Sequence, residues 1–509
     1  MGSLGDTAVA NGRSDSTGVS VTGSLSNTLV ANSHADSTEL SVNGVHSAVM
    51  HRSLHHEPLL AVSAKGHYLH LSNGQKVYDA TGGAAVACLG GDNARVTKAL
   101  VNQLTEGVSY CHSLFFATEA AEQLASHLIQ STNHKMARAF FTSSGSEAVE
   151  AALKMARQYH LEKNPPEPQR IHFIGRKQSY HGTTLGALGA GGHRARRAIY
   201  EPMLSDNSTF VSPCFAYRGK AWPEESDSAY VSRLEEEIEA EFQRVGPGKV
   251  AAFIAEPIVG AALGCVPSVA GYFEAVRRIC NKHGALLILD EIMCGSGRVG
   301  PRPSARYPKP LHAWQDPSVG IVPDLMTMGK GLGGGFQPIA AMLANNRVVE
   351  VLSKGTGSFS HGQTYQAHPL ACRAALEVQR IIQEDDLVSN VRAQGKLLGR
   401  LLQDKLSKHP HVGNIRGQGL FWGIEFVEDK ETGSPFDPAR NVAMEIHELG
   451  MQSPFNISLY PGTGTTDGVK GDHILIAPAY NIKAEDVHMI VETTASIINA
   501  FFGTARQGE

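Results

Sequence analysis

The chain has 509 residues, of which 45 are basic and 49 acidic, so its formal net charge is −4. This near-neutral balance gives no electrostatic reason to expect nucleic acid or an anionic membrane as the main partner, and small molecules are the expected ligands. The length predicts two or three domains, and no apolar window is long enough to predict a membrane span.

Residues 1–45 are rich in Ser, Thr, Gly, Asn and Ala and contain no aromatic residue, which predicts a disordered tail. The segment that begins at Gly2 recurs from Gly23, and we interpret it as duplicated linker-like sequence because two polar copies cannot bury a core. The tail lacks the apolar core of a secretion signal, so a cytoplasmic location is expected, with organelle targeting by the tail as the open alternative. Seven scattered cysteines agree with that location as reduced thiols, and without a Cys-x-x-Cys pair they indicate no metal site.

From residue 67 onward, short apolar segments alternate with helical patterns. The apolar segments are continuous, which is typical of strands buried on both faces of a parallel sheet. The predicted strands are Ala139–Thr142, Ile171–Ile174, Val250–Ala255, Ala285–Leu289 and Leu325–Met328. The predicted helices between them are Ser146–His160, Ser226–Arg244 and Val269–His283. The middle of the chain is therefore predicted to be a doubly wound α/β domain.

After about residue 365 the pattern changes to long helices that flank isolated strands, which predicts a smaller α+β domain. The predicted helices are Pro369–Glu384, Leu387–Lys408 and Ala484–Phe501, and the predicted strands are Leu420–Phe426 and His473–Ile476. The predicted organisation is a tail (1–45), an N-terminal segment that joins the small domain (46–90), a large domain (91–364) and a C-terminal small domain (365–509).

Small residues lie between the first predicted strand and the helix after it, in Thr142-Ser-Ser-Gly-Ser-Glu147. Exposed backbone amides and the positive end of the helix dipole make such a junction a place to bind phosphate, with the Ser144 and Ser146 hydroxyls as further donors. The alternative is structural, with a serine that caps the helix. In the same way, the tyrosine of Tyr180-His181-Gly182 can stack on a planar ligand or simply pack on the core.

Two carboxylates, Glu256 and Asp290, end apolar strands, and ligands of parallel α/β sheets bind beyond those ends. Asp290 can form a charge-assisted hydrogen bond to a protonated pyridine nitrogen. Ile292 is two residues further on, so if it points the same way as Asp290 it can cover one face of such a ring.

Lys330 is a lone lysine between Gly329 and Gly331, after the last of these predicted strands. An amine beside apolar surface with a lowered pKa can act as imine partner and as proton carrier. For this segment taken alone, a surface lysine in a flexible turn is the alternative. A phosphate-binding P-loop is excluded because Gly331 stands where Ser or Thr is required. Together, an acid and a lysine at strand ends are what pyridoxal phosphate requires.

Taken in order, these motifs resemble the class III aminotransferases, a subgroup of the fold-type-I pyridoxal phosphate enzymes that act on amines or on amino groups distant from a carboxylate. The resemblance covers about residues 50–503. It is carried by Leu289-Asp-Glu-Ile-Met-Cys-Gly-Ser-Gly-Arg-Val-Gly300, Asp324 through Gly335, Ser144–Ala148, Tyr180-His181-Gly182, Glu256-Pro257 and His361-Gly-Gln-Thr-Tyr365. It implies a large domain with a mostly parallel sheet covered by helices, and a smaller α+β domain built from the N- and C-terminal parts.

The resemblance implies pyridoxal 5'-phosphate as the cofactor and Lys330 as the Schiff-base lysine that also moves the substrate proton. It implies Asp290 as the partner of the pyridinium nitrogen and Glu256 as the support of the ring's hydroxyl side. Thr364 is implied to reach the phosphate of the neighbouring subunit, so a homodimer with shared sites is expected. The other expected cofactor contacts are Ser144, Gly145, Ser146, Tyr180, His181 and Ile292.

The expected substrate contacts are less complete. Many members of the family bind an α-carboxylate with an arginine where this chain has Leu475. The remaining basic candidates are Lys470 and Arg416, and a structural role is at least as well supported for Arg416. Three aromatic residues resemble the pocket wall of relatives, with core packing as the alternative: Tyr110, Phe115 and Phe116.

The sequence therefore predicts an aminotransferase that moves an amino group from an amine or amino acid to a keto acid, ketone or aldehyde. Two alternatives stay open. One is a decarboxylase, aminomutase or epimerase of the same family, and the other is a non-catalytic member that keeps the fold.

Overall fold

The computed structural model describes residues 47–222 and 224–505. The tail and its repeat, for which disorder and duplication were predicted, lie outside these described residues. The chain divides after Glu57 into two compact units. In the first, residues 47–57 form bends, with the Ser47 hydroxyl 3.0 Å from Nε2 of His51. The fold below is that of the second unit, from Pro58 onward.

The strands of the second unit are short. In chain order they are β1 (Ala61–Lys65), β2 (Tyr68–Leu71), β3 (Lys76–Asp79), β4 (Met136–Thr142), β5 (His172–Arg176), β6 (Ser208–Val211), β7 (Val250–Ala255), β8 (Ile258–Val259), β9 (Val266–Pro267), β10 (Leu286–Asp290), β11 (Leu325–Met328), β12 (Ala340–Asn345), β13 (Val412–Gly417), β14 (Trp422–Phe426), β15 (Ile457–Ser458), β16 (Tyr460–Thr463) and β17 (Asp472–Ile476).

The helices alternate with these strands. In chain order they are α1 (Gly82–Ala85), α2 (Ala94–Thr105), α3 (Glu119–Ser131), α4 (Gly145–Glu162), α5 (Leu185–Ala190), α6 (Arg194–Arg197), α7 (Ala216–Gly219), α8 (Asp227–Val245), α9 (Tyr272–His283), α10 (Asn346–Lys354), α11 (Pro369–Glu384), α12 (Leu387–Leu406), α13 (Val442–Met451) and α14 (Ala484–Ala505). None of the helices that the described residues form is long and apolar enough to cross a membrane.

The central sheet has seven strands in the order β4-β12-β11-β10-β7-β5-β6. The pairings from β11 through β6 are parallel, whereas β12 is antiparallel to both of its neighbours. The prediction of a mostly parallel sheet is confirmed. The sequence analysis missed β12, because its segment Ala-Ala-Met-Leu-Ala-Asn contains no β-branched or aromatic residue to indicate a strand.

Helices cover both faces of this sheet, as the alternating side chains of β10 demonstrate. Leu286 and Ile288 pack in the apolar cluster that includes α4, while Leu287 and Leu289 pack in the cluster that includes α8 and α9. The predicted burial on both faces is therefore confirmed for β10. It was wrong at Ile171, which is 51% exposed and precedes the first residue of β5.

Two four-stranded sheets lie outside the central sheet, β13-β14-β17-β16 and β1-β2-β3-β15, and β8 pairs with β9 in a two-stranded sheet. Hydrogen bonding between β3 and β15 joins a segment near residue 78 to one near residue 457. Helices α12, α13 and α14 contribute to the apolar cluster that these two sheets share. The smaller α+β portion is therefore built from both ends of the chain, as predicted for the fold class.

Candidate active site

The candidate site lies at one edge of the central sheet. Asp290 is the last residue of β10, Glu256 directly follows β7, and Lys330 follows β11 by two positions. Because β10 pairs in parallel with both β7 and β11, the three strands end at the same edge. Helix α4 begins at the same edge, since β4 runs parallel to β11 across β12.

Asp290 is 3% exposed and is held by three polar contacts. Its Oδ1 accepts hydrogen bonds from the Thr327 hydroxyl and the Ile292 backbone N–H, each at 3.1 Å. Its Oδ2 lies 2.7 Å from Nδ1 of His181. These contacts fix both carboxylate oxygens, and the other ring nitrogen of His181, Nε2, is buried with no hydrogen-bond partner among the described residues.

Lys330 occupies a strained backbone position. Its φ is 45°, a left-handed value that is uncommon for a residue with a side chain, and it begins a 3-10 turn that ends at Leu332. Burial lowers the pKa of the amine below its ordinary value, while the charge of Asp290 raises it and the charge of Arg196 lowers it. A lowered pKa increases the fraction of neutral amine, which is the form that attacks a carbonyl carbon or accepts a proton.

Glu256 lies near the Asp290 carboxylate and is 7% exposed. Burial raises the pKa of Glu256 to about 7, opposed by the charges of His181 and Arg176. Its Oε2 lies 3.7 Å from the Arg176 guanidinium and has no hydrogen-bond partner in the described part of the chain. The guanidinium also donates to the backbone carbonyl of Glu256 at 2.6 Å. The side chain is therefore positioned but keeps an acceptor atom for a ligand.

The start of α4 has the features of both helix capping and phosphate binding, the two alternatives considered from the sequence. Ser144 Oγ accepts from the Glu147 N–H at 3.3 Å, and the Glu147 carboxylate accepts from the Ser143 N–H at 2.9 Å, which is helix capping. Ser146 Oγ accepts from the Thr183 N–H at 3.0 Å. Because both serine oxygens act as acceptors here, each hydroxyl proton remains available to an anion at the helix start.

Ile292 brings the glycines of the site together. A Cβ on Gly145 would lie 2.9 Å from Cδ1 of Ile292, and one on Gly329 would lie 3.3 Å from its Cγ2. In the same region, a Cβ on Gly182 would lie 2.6 Å from Oγ of Ser146. The phosphate-type junction, the Tyr-His-Gly turn and the glycine before Lys330 therefore meet at one place.

Tyr180 is half-buried and packs partly on a small apolar cluster that includes Phe215 and Leu263. The guanidinium of Arg196 lies over its ring, 4.8 Å from the ring centroid. The ring of His193 approaches it edge-on at 6.4 Å. Tyr180 therefore packs partly on the core and keeps part of its surface accessible.

The predicted aromatic wall lies apart from these residues. Tyr110, Phe115 and Phe116 are 44%, 73% and 64% exposed, and the Tyr110 hydroxyl donates to the carbonyl of Thr364 at 3.1 Å. Within the described residues, no hydrogen bond or ring contact joins them or Thr364 to Lys330.

Arg416 is tied into the fold. It is 8% exposed, its Nη1 lies 2.6 Å from a carboxylate oxygen of the fully buried Glu425, and it also donates to the carbonyl of Leu263. The same carboxylate is paired with Arg218. These contacts favour the structural alternative for Arg416. Lys470 is exposed, and its backbone N–H donates to Asp467 at 2.7 Å.

Several residues of the site were missed by sequence reasoning. Thr327 is paired with Asp290 in the register of β11 and β10. It is the only polar residue of the strand Leu-Met-Thr-Met, and this exception could have indicated a role in the site. Arg176 was missed because the predicted strand ended at Ile174, two residues before the end of β5, and Arg196 lies in a four-residue helix rich in arginine.

These residues fit pyridoxal phosphate. Asp290 supplies a fixed anion for a ring nitrogen, and within residues 47–222 and 224–505 the buried atoms Glu256 Oε2 and His181 Nε2 have no hydrogen-bond partner. Ser144 and Ser146 offer hydroxyl protons to a phosphate, and Lys330 offers an amine of lowered pKa.

Comparison with known proteins gives a consistent result. The family model for aminotransferase class-III matches residues 49–498. An aminotransferase of Gibberella zeae is 52% identical over 88% of this chain and 85% of its own length. Gamma aminobutyrate transaminase 3, chloroplastic, of Solanum lycopersicum is 33% identical over 86% of this chain and 79% of its own. Among solved structures, the omega transaminase of Pseudomonas jessenii in complex with PMP is 30% identical with a TM-score of 0.80, covering 89% of this chain and 94% of that one.

Proposed function

Because the chain belongs to the class-III aminotransferase family and is a pyridoxal phosphate-dependent aminotransferase, we propose that Lys330 and Asp290 are its catalytic residues. The observation that carries this proposal is the convergence of a buried, triply held carboxylate and an amine of lowered pKa at adjacent strand ends. Pyridoxal phosphate, when bound, supplies a carbon that takes up the amino group and a ring that accepts electrons.

Lys330 performs the proton transfer. Its Nζ takes a proton from the substrate carbon that bears the amino group and later returns one, which requires an amine that changes its protonation readily near neutral pH. Burial favours the neutral form, and the neighbouring charge of Asp290 limits that effect. The left-handed backbone and the flanking Gly329 hold the amine close to the sheet edge.

Asp290 keeps a ring nitrogen protonated, because the negative charge of a nearby carboxylate favours the cationic form of its partner. Glu256 accepts from the polar group on the adjacent side of the ring. Ser144 and Ser146 bind the phosphate at the start of α4, and Tyr180 and Ile292 lie against the two ring faces. Contacts of Ile292 with Gly145 and Gly329 support its placement.

Replacement of Lys330 tests the assignment. Borohydride reduction of the holoenzyme followed by peptide mass spectrometry should locate the cofactor on the peptide that contains Lys330. Lys330→Ala should lose multiple-turnover transamination, while Lys282→Ala, on the exposed face of α9, should retain it. Cofactor attachment at another lysine, or sustained turnover by Lys330→Ala, would refute the role.

Product analysis separates the alternatives that the sequence left open. Transamination converts the donor to its carbonyl product and the acceptor to an amine in equal amounts. A decarboxylase releases carbon dioxide from the donor, and a mutase or epimerase forms no carbonyl product. A non-catalytic member gives no product with any donor.

We also propose that the chain acts as a homodimer whose partner contributes Thr364 to the phosphate site. Leu114, Phe115 and Phe116 are exposed side by side, an apolar surface of the kind that a second subunit covers. Thr364 is connected to the same region through Tyr110.

Light scattering during size-exclusion chromatography tests this arrangement. Phe116→Asp should dissociate the dimer and weaken cofactor retention, while Val62→Asp, on the exposed face of β1, should do neither. A monomeric wild-type protein with full activity would contradict the proposal.

The proposed donors are amines or amino acids, and the proposed acceptors are keto acids, ketones or aldehydes. Relatives named gamma aminobutyrate transaminase and vanillin aminotransferase support this range. A panel of donors tested against pyruvate, 2-oxoglutarate and simple aldehydes checks it. If no donor in the panel reacted with any of these acceptors, the proposed substrate range would be wrong.

We propose a cytoplasmic location. All seven cysteines are free, and burial raises the pKa of six of them, which suits thiols that stay reduced. Microscopy of a fluorescent fusion tests the location, and a fusion found in an organelle would favour the targeting alternative.

A further inference from the structure

Arg196 is distinguished from its neighbours on α6 by its position over the ring of Tyr180, and its side chain has no acidic partner among the described residues. Its neighbour Arg197 pairs with Glu201 and donates to three backbone carbonyls. The side chain of Arg196 makes neither an ion pair nor a hydrogen bond within the part of the chain that the structure describes, and the residue is solvent-exposed. Its guanidinium lies over the ring of Tyr180, 4.8 Å from the centroid.

The position of this guanidinium connects it to the catalytic lysine. Tyr180 is the residue proposed to lie against the cofactor ring, so a group over Tyr180 borders the place where the substrate reacts. The charge of Arg196 is also felt at Lys330, where it lowers the pKa of the amine. An unpaired cation therefore stands within electrostatic reach of the reacting centre.

The other basic candidates for a substrate carboxylate are less available. Arg416 shares the buried Glu425 with Arg218, and Leu475 stands where many relatives have an arginine. The exposed Lys470 belongs to a loop whose backbone is fixed by Asp467. A fork-shaped guanidinium without a partner suits a carboxylate better than a lysine ammonium does, because it donates two parallel hydrogen bonds.

We propose that Arg196 binds the carboxylate of the substrate, so that carboxylate-bearing amino donors and keto acids are the preferred substrate class. The inference rests on the proposed function and deepens it. The guanidinium contacts the substrate carboxylate on the Tyr180 side of the cofactor, and Tyr180 supports it through the cation–π contact.

Two substitutions on the same short helix provide the test. Arg196→Met keeps an apolar stem over Tyr180 but removes the charge, and Arg194→Met removes a neighbouring exposed charge as a matched control. With pyruvate as acceptor, Arg196→Met should lower kcat/KM by about 10-fold to 100-fold, the loss expected for a charge-assisted bidentate contact. With propanal, which lacks the carboxylate, kcat/KM should be unchanged, and Arg194→Met should match the wild type with both.

A binding measurement gives a second readout that does not depend on turnover. Propionate carries a carboxylate but neither an amino nor a keto group, and calorimetric titration of the holoenzyme gives its Kd. Arg196→Met should weaken propionate binding by a factor similar to its effect on pyruvate, and Arg196→Lys should recover part of it.

The outcomes are distinguishable. If the wild type transaminates and Arg196→Met retains its pyruvate kcat/KM and its propionate Kd, the inference is overturned and the proposed function stands. Equal losses with pyruvate and propanal would also overturn it, since they indicate a structural role. If the wild type transaminates nothing, the proposed function fails, and propionate binding still decides whether Arg196 binds carboxylates.

Discussion

Replacing Asp290 by asparagine isolates the charge of this residue from its shape. The amide oxygen can keep the two hydrogen bonds at 3.1 Å, from the Thr327 hydroxyl and the Ile292 N–H. The amide nitrogen then takes the place of Oδ2, 2.7 Å from the His181 ring. Since the side chain volume is unchanged, Asp290→Asn should fold normally and differ only in the lost anion.

The size of the effect follows from burial. A hydrogen bond to a charged group contributes about 1.5–3 kcal/mol, and the 3% exposure of Asp290 places it at the upper end because the local dielectric is low. A loss of about 3 kcal/mol in the transition state corresponds to a roughly 100-fold lower kcat. The fall should appear in kcat rather than in substrate affinity, because the charge acts on the cofactor ring.

Stopped-flow absorbance of the half-reaction with an amino donor measures this rate directly. Asp472→Asn is the matched control, since Asp472 is also 3% exposed and accepts a hydrogen bond from the Ala443 N–H at 3.1 Å, but lies on β17 in the smaller portion. A kcat for Asp290→Asn within about threefold of the wild type, or an equal loss in Asp472→Asn, would refute the reasoning.

Three further predictions concern stability. Since burial raises the pKa of Glu256 to about 7 from its ordinary 4.5, the folded cofactor-free protein holds this proton more tightly than the unfolded chain, and the stability it contributes is lost as pH rises through 7. Urea unfolding should therefore show Glu256→Gln becoming more stable relative to the wild type between pH 4.5 and pH 8, by about 3 kcal/mol, and a pH-independent difference would contradict this. Glu425→Gln should reduce the free energy of unfolding by about 3–5 kcal/mol, because it leaves Arg218 and its companion guanidinium without their shared carboxylate; a loss below about 1 kcal/mol would argue against a structural triad. Gly423→Ala should lower the melting temperature, because its Cβ would lie 2.2 Å from a backbone carbonyl oxygen, whereas Gly189→Ala meets nothing within 4 Å and should preserve it.

The positions of Asp290 and Lys330 at one edge of the sheet could be predicted from sequence because local signals marked both residues. In Leu-Leu-Ile-Leu-Asp290, four apolar residues end in a carboxylate, and the parallel-sheet rule then assigns the side chain to a ligand edge. Lys330 had a weaker signal, but flanking glycines and the preceding apolar strand were sufficient once Asp290 was placed. The end of a buried strand can be located from sequence because a run of apolar residues gives way there to a charged residue.

The partners of these residues could not be predicted in the same way. His181 meets Asp290 across 109 positions of sequence, and only the order β10-β7-β5 in the sheet brings them to 2.7 Å. The pairing of Arg416 with Glu425 likewise depends on the antiparallel register of β13 and β14, which no local pattern specifies. Contacts between distant segments are set by packing of the whole sheet and not by any single motif.

The arginines of the protein differ in whether their guanidinium groups already have an acceptor, and this difference bears on the choice of substrate. Arg176 lies beside Glu256, Arg416 shares Glu425, and the fully buried Arg298 donates to the carbonyls of Leu420 and Pro478. Each of these guanidiniums already has an acceptor, as a buried cation requires. Arg196 and Arg194 are exposed and paired with no carboxylate in the described chain, and of these two it is the Arg196 guanidinium that lies over Tyr180. We therefore propose that a carboxylate on the substrate supplies the missing acceptor beside Tyr180, which would favour anionic substrates over simple amines.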